Sequence, residues 1–450
     1  MTNQTASPHA ARQVPRYTSY PTAPHFTGEV DAALYRSWLS ELDTREPVSV
    51  YVHVPFCAQL CLYCGCQTTV TRGYAPVAAY LELLLRELAL VGEALPARRR
   101  VSHLHFGGGS PTILEPCDFQ RLMSALRATF DIDSDAELAI EVDPRTISPA
   151  LVTALAVVGI NRVSLGVQSF DPLVQKTIGR QQSFELTRRV TDWFRFAGIA
   201  GVNLDLMYGL PHQTVVNVLD TVERALSLDP DRIALFGYAH VPWMKRHQAL
   251  LPEATLPDSA GRAAQFDAAT QRILAAGYDR IGLDHFAKPD DELGIKAASG
   301  GLRRNFQGYT TDQARTLIGL GASAISRLPG GYAQNASAVV DYRTGLLRGQ
   351  FATARGVRLT PEDRLRADII ERLMCDFRVD LADLCREHGL DFASLDADLA
   401  QLEPLVSEGL ALRDGAVIEI APGAQNLARV VSAAFDARSD RQAKRHSLAV

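Results

Sequence analysis

From residue 48 onward, short apolar runs alternate with longer stretches whose apolar positions recur at helical spacing. Six runs read as strands: VSVYVHV (48–54), VSHLHFG (101–107), ELAIEV (137–142), RVSLGV (162–167), GVNLDLM (201–207) and RIALFGY (232–238). The stretches between them, such as AAYLELLLRELALVGEAL and VVNVLDTVERALSL, are long enough to be the crossover helices that parallel strands require. This alternation predicts an α/β fold, a mainly parallel sheet of βα units arranged as a partial, TIM-like (β/α)6 barrel. YDRIGLD (278–284) and TLIGLGASAIS (316–326) are expected as further strands or loops at its edge. After about residue 355 the texture changes, and TPEDRLRADIIERLMCDFRVD opens a helix with Thr360 as N-cap and Pro361 behind it. The expected division is an irregular, proline-punctuated arm over 1–45, a barrel over 46–355, and a smaller, mostly helical C-terminal domain over 356–450.

Composition narrows the class without changing it. With 47% apolar and 22% charged residues the 450-residue chain is ordinary for a globular protein with a large core. A formal net charge of −5 carries no basic excess of the kind that marks a nucleic-acid binder. No run of about 18 apolar residues appears, and the start lacks a signal peptide's apolar core, so neither a membrane span nor secretion is expected. The first acidic residue is Glu29, and Arg12 and Arg16 precede it, as in an organelle transit peptide; Pro8, Pro15 and Pro21 interrupt any amphipathic helix there and favour a cytoplasmic protein. Seven unevenly spaced cysteines argue for reduced thiols rather than a disulfide framework.

Four of those cysteines fall within ten residues, Cys57, Cys61, Cys64 and Cys66, directly after the first strand. In parallel βα barrels the active site forms at the C-terminal ends of the strands. At those ends the chain places the cysteine loop, the turn GGGSP (107–111), Glu141 with Asp143, Gln168, Asp205, and Tyr238 to His240. A structural zinc site draws four ligands, usually as two separated pairs, and no second pair exists here. Thiolates crowded on one loop suit an iron–sulfur cluster better, with three cysteines on three irons and the fourth iron open to a substrate or cofactor. A zinc knuckle stays as the alternative. Cys117, Cys375 and Cys385 lie in helix-period text and read as core residues. His103 and His105 share one strand face; with no third ligand in view, they read as core or hydrogen-bonded histidines rather than metal ligands.

CxxxCxxC with an aromatic, Tyr63, before its last cysteine resembles the signature of radical S-adenosylmethionine (SAM) enzymes. The flanking text RYTSYPTAPHF, YVHVPFC, CGC, HFGGGSPT, IEVDPR, GVQSF, YGLP, DHFAKPDDEL and RNFQGYTT is similar to the bacterial oxygen-independent coproporphyrinogen III oxidases over nearly the whole chain. The resemblance implies that Cys57, Cys61 and Cys64 ligate a [4Fe–4S] cluster whose open iron is chelated by SAM. It places Tyr63 against the adenine, Tyr51, Gly108, Glu141 and Ile325 around the first SAM, and Gly109, Ser110, Gln168, Arg180, Asp205 and Ala239 around a second. Cys66 would sit beside the cluster without ligating it, and Cys66 and Tyr51 are the candidate catalytic residues. Related enzymes usually end the glycine motif in a glutamate; Gly109 and Ser110 stand there instead, matching the coproporphyrinogen subfamily. Asp205 or Arg180 reads equally well as part of a structural ion pair.

The implied reaction is the oxygen-free oxidative decarboxylation of the ring A and B propionates of coproporphyrinogen III to vinyl groups, giving protoporphyrinogen IX through a 5′-deoxyadenosyl radical. A low-potential electron donor, not identified by the sequence, would feed the cluster, and the chain is expected to act as a monomer with neither nucleic acid nor membrane as partner. Four propionates call for donors, and Arg303, Arg304, His285, Arg16, Tyr17 and Tyr20 are the candidates, against the ordinary reading of solvated side chains. The arm would fold over the barrel mouth as a lid. Rival readings are a haem chaperone on the same fold, which Cys66 and RYTSYP argue against, another tetrapyrrole-acting radical SAM enzyme, and a zinc-stabilised structural protein.

Overall fold

The computed structural model describes residues 12–438, so the first eleven residues of the arm, Pro8 among them, and the last twelve of the C-terminal region lie outside the described residues. Twelve strands form one sheet: β1 Val48–Val54, β2 Arg100–Gly108, β3 Asp131–Val142, β4 Arg162–Gln168, β5 Gly201–Tyr208, β6 Arg232–Gly237, β7 Asp279–Ile281, β8 His285–Ala287, β9 Thr316–Leu320, β10 Ile325–Leu328, β11 Gly331–Asn335 and β12 Thr353–Arg358. Their spatial order is β12-β11-β10-β9-β1-β2-β3-β4-β5-β6-β8-β7. From β9 through β1 to β6 every pairing is parallel, and the flanking strands add on in antiparallel fashion. The order is linear, with β12 and β7 at its ends, as a partial barrel requires. Both edge segments expected from the sequence are strands.

The strands are two-faced. In β4 and β5 burial alternates residue by residue, so Val163, Leu165 and Val167, and Val202, Leu204 and Leu206, are packed under the crossover helices. The other parity is polar and faces inward: Ser164 and Gln168 on β4, Asn203 and Asp205 on β5. Helix Ala75–Ala94 shows the matching helical pattern, burying Val77, Tyr80, Leu81, Leu84, Leu88 and Val91 on one face. Below the inward polar residues the floor is closed by four ions: Arg162 and Arg232 each pair with both Glu137 and Asp291, at 2.6 to 3.4 Å.

The C-terminal region has its own core. Thr360 caps helix Pro361–Cys375 with Asp363 completing a capping box, as its sequence predicts. Helices dominate there, and a small antiparallel sheet joins them, in the order Arg378–Asp380, Val417–Ile420, Ala411–Asp414. Three- and four-residue strands carry too little alternation to be read from sequence. Val14, Tyr17 and Tyr20 of the arm and Leu283 of the barrel pack into the same core. Farther along the arm, Asp31 caps a nine-residue helix, Ala32–Ser40, that buries Tyr35, Trp38 and Leu39; it is too short for its period to stand out. Among the described residues no helix is long and apolar enough to cross a membrane.

Candidate active site

The inward faces of β1 to β6 and the loops at their C-terminal ends enclose a cavity of about 1060 Å³. Thirteen of the fifteen expected site residues line it: Tyr51, Cys57, Cys61, Tyr63, Cys64, Cys66, Gly108, Gly109, Glu141, Gln168, Arg180, Asp205 and Ala239. Ser110 and Ile325 do not. The Ser110 hydroxyl is buried against Thr112 at 3.1 Å, and Ile325 opens β10, where its backbone lies against Gly319 of β9.

The cysteine loop leaves β1 and is tied at both edges. Phe56–Cys57 pairs with Thr69–Val70, and the Thr71 amide donates to the Cys57 carbonyl at 3.0 Å. A second loop clamps it from above: Lys245 Nζ donates to the Cys66 carbonyl (2.9 Å), His247 Nε2 to that of Cys64 (2.8 Å) and Gln248 Nε2 to that of Tyr63 (2.9 Å). Two guanidinium groups reach the Cys61 sulfur, Arg145 at 3.4 Å and Arg180 at 3.7 Å. Burial pushes the Cys57 thiol up to about 12, and the neighbouring Cys64 and Cys61 add to the shift. Cys64 is held below the usual thiol value, chiefly by the hydrogen bond from Cys66. Among the described residues no three His, Cys, Asp or Glu side chains gather on a single-ion site.

The glycines are a steric requirement of this contact. A Cβ on Gly109 would stand 2.6 Å from the Phe56 carbonyl oxygen and 3.0 Å from the Cys57 sulfur. Gly109 and Ser110 instead donate their amides to Val54 and Phe56, both at 2.8 Å, and lace the end of β2 to the cysteine loop. Gly108 has φ of 121°, a conformation that glycine adopts without strain. Beside it, Glu141 accepts from the Gly108 amide at 3.2 Å and meets His105 Nε2 at 3.5 Å. The Tyr51 ring stacks on His105, and its hydroxyl meets His53 Nδ1 at 3.0 Å. His53 Nε2 faces the Gln67 carbonyl at 3.1 Å and must carry the proton, so Nδ1 accepts from Tyr51. Burial lowers the pKa of His53 and keeps it neutral.

On the opposite wall Arg180 is engaged by protein: the Gly166 carbonyl at 2.6 Å, Asp143 at 3.4 Å and the Cys61 sulfur. Asp205 is buried, which raises its pKa to about 6, and it accepts from Ser164 at 2.9 Å. Arg180 thus does form a structural ion pair, with Asp143, whereas Asp205 forms none among the described residues. Gln168 sits at φ of 67°, unusual for a residue with a Cβ, where β4 and β5 slip register. His103 is engaged by Asp312 (3.3 Å) and Thr311 (3.2 Å), a hydrogen-bonded histidine as expected. Of the residues singled out for propionates, Arg16, Arg304 and His285 line the cavity. Arg303 turns away to Glu371 at 3.5 Å, Tyr17 bonds Asp436 at 3.0 Å, and Tyr20 is buried in the C-terminal core.

Residues 51–225 match the Radical SAM superfamily, and residues 359–418 the HemN C-terminal domain. An oxygen-independent coproporphyrinogen III oxidase of Bradyrhizobium diazoefficiens is 50% identical over 442 residues, 98% of each chain. The chain belongs to the oxygen-independent coproporphyrinogen III oxidase family. A relative with that name from Paracoccus denitrificans is 46% identical across 97% of both chains. The structure of the Escherichia coli coproporphyrinogen III oxidase, described as a radical SAM enzyme, superposes with a TM-score of 0.90 at 37% identity, covering 95% of this chain and 100% of that one. Membership of the radical SAM superfamily implies a [4Fe–4S] cluster and SAM. The residues present fit them: soft thiolates on one loop, two guanidinium groups beside them, and a glycine cradle that any Cβ would fill.

Within this oxidase frame, sequence reasoning missed Arg145, His53 and the clamp Lys245, His247 and Gln248. Arg145 was legible in principle, two positions past Asp143 in IEVDPR. The clamp was not, since it meets the cysteines from about 180 residues away along the chain.

Proposed function

We propose that this protein decarboxylates the ring A and B propionates of coproporphyrinogen III to vinyl groups without oxygen, giving protoporphyrinogen IX, as a monomer in the cytoplasm fed by a low-potential electron donor. The reading rests on one arrangement: a thiol-rich loop, a glycine cradle and unpaired guanidinium groups facing one cavity of tetrapyrrole size. Cys57, Cys61 and Cys64 hold the [4Fe–4S] cluster, and Tyr51, Tyr63, Gly108 and Glu141 border the first SAM. Gly109, Gln168, Asp205 and Ala239 border a second, with Arg180 holding that wall in place. When bound, the cluster and SAM supply the radical that takes hydrogen from a propionate β-carbon.

The chain's own residues orient and protect. Arg145 and Arg180 offset the charge of Cys61, and the clamp 245–248 keeps the loop against the cavity. Cys66 is exposed at the cavity two residues from Cys64, which places an S–H beside the reacting region. The Tyr51 hydroxyl is turned to His53, so its ring rather than its proton faces the ligand side. Anaerobic turnover tests the reading: reconstituted protein with SAM, a strong reductant and coproporphyrinogen III should release protoporphyrinogen and 5′-deoxyadenosine together, about one deoxyadenosine per propionate lost. Deoxyadenosine without protoporphyrinogen would mean a different tetrapyrrole substrate; neither product, with stable haem binding, would mean a chaperone.

A further inference from the structure

Eight arginines line the cavity, and their charges are compensated very unequally. Arg162 and Arg232 are locked into the floor with Glu137 and Asp291, and Arg145 and Arg180 share Asp143. Among the described residues, Arg16, Arg262 and Arg304 form no salt bridge with any carboxylate. They reach one end of the cavity from three places in the chain: the arm, helix Ser259–Ala275 and strand Arg303–Asn305. Arg16 donates to the Gly237 carbonyl at 3.2 Å. Arg262 lies over the Tyr208 ring at 5.5 Å, in space left by two glycines: a Cβ on Gly209 would collide with its guanidinium, and one on Gly237 would stand 3.1 Å from it. Arg304 lies over Tyr309 at 4.5 Å. Buried nitrogens of Arg262 (Nε) and Arg304 (Nε and Nη1) have no hydrogen-bond partner.

We infer that Arg16, Arg262 and Arg304 form the carboxylate receptor of this cavity, gripping propionates of a tetracarboxylate tetrapyrrole. The inference deepens the proposed function and rests on it for the ligand class. Arg16 is exposed at the mouth, whereas Arg262 and Arg304 hold buried nitrogens with no hydrogen-bond partner; such cations are costly to keep, and an arriving carboxylate with fork-shaped hydrogen bonds removes that cost. The acid facing them is Asp284, already bonded to His285 at 2.8 Å and held low mainly by that bond against its own burial. Burial, with Arg16 nearby, also lowers the pKa of Arg262. Arg429 is the positioning residue: from helix Ala428–Ser432 it donates to the Val14 and Pro15 carbonyls, at 2.6 and 3.0 Å, and so sets Arg16 at the cavity mouth. The C-terminal region thereby completes the substrate site through the arm.

The test is fluorescence titration of the full-length, cluster-reconstituted protein with coproporphyrin III, which keeps all four carboxylates, and with its tetramethyl ester, which has none. The wild type should bind the acid at least tenfold more tightly than the ester. Arg262→Gln should weaken the acid roughly tenfold or more, the loss expected for a hydrogen-bonded charge pair, and leave the ester unchanged; Arg262→Lys should fall between. Cluster absorbance and far-UV circular dichroism check that each variant folds, and the acid-against-ester comparison needs no variant at all. Equal affinity for acid and ester, or an Arg262→Gln protein that binds the acid like wild type, overturns the receptor. If turnover of coproporphyrinogen fails while the acid preference and its dependence on Arg262 persist, the reaction is wrong and the receptor stands.

Discussion

Cys61 sits between two guanidinium groups, and the two differ in what else holds them. Arg180 is anchored by the Gly166 carbonyl, whereas Arg145 is held by Asp143, in a two-point grip of 2.9 and 2.7 Å, and by Gln59 Oε1 at 3.3 Å. Replacing Arg145 with glutamine removes one cation from beside the sulfur and leaves Asp143 facing Arg180. Hydrogen bonds to charged groups contribute about 1.5 to 3 kcal/mol, so anaerobic iron release to a chelator should be roughly tenfold faster in Arg145→Gln than in wild type. An unchanged rate would show that Arg180 suffices. The cysteines themselves stood out because all four fall on ten consecutive residues, a signal that survives without any structure. Arg145 was in view and its role was not, because nothing local says that residue 145 returns to residue 61.

Between elements, the tightest junction is the one between the end of β2 and the cysteine loop. It depends on Gly109, where an added Cβ meets backbone rather than a flexible side chain, so relief requires the two elements to part. Gly109→Ala should cost about 1 to 3 kcal/mol, lowering the melting temperature, and should reduce the iron bound after reconstitution. A normal iron content would mean that the pairing with Thr69–Val70 and the clamp at 245–248 suffice to hold the loop. At this scale the periodicity reading served well: all six barrel strands lie where alternation placed them, β1 to the residue. β3 begins six residues before its predicted start, because Asp131, Asp133 and Asp135 read as polar loop text. That end pairs with the start of β2 and is held by Arg98 and Arg100 through Asp131 and Asp133.

Across the whole molecule, one buried carboxyl ties the first crossover helix to the far side of the sheet. Glu87, only 1% exposed, accepts from the Gly321 amide, Asn335 and the Tyr342 hydroxyl. Burial lifts its pKa from 4.5 to about 7. Between those values the folded protein keeps a proton that the unfolded chain releases, so this group makes stability fall as pH rises through that window. The melting temperature should therefore decline from about pH 5 to pH 7, and Glu87→Gln should flatten that decline. The arm offers the second test at this scale. Val14, Tyr17 and Tyr20 belong to the C-terminal core, and Arg16 faces the cavity. Deleting residues 1–25 should abolish turnover and lower thermal stability while the cluster spectrum survives; normal turnover would rule out the arm as part of the site.

Local spacing alone determined the βα alternation, the helix start at Thr360 and the loop that gathers four thiols, because each depends on residues within a turn or a strand of one another. The fate of individual charges was decided only in three dimensions. Arg303 and Arg304 are neighbours of the same type, yet alternate residues of a strand point to opposite faces, so Arg303 meets Glu371 on helix Pro361–Cys375 while Arg304 enters the cavity without a carboxylate partner. Whether a buried cation is structural or waits for a ligand depends on which acid the fold brings within reach, and the acids concerned lie tens to hundreds of residues away in the chain.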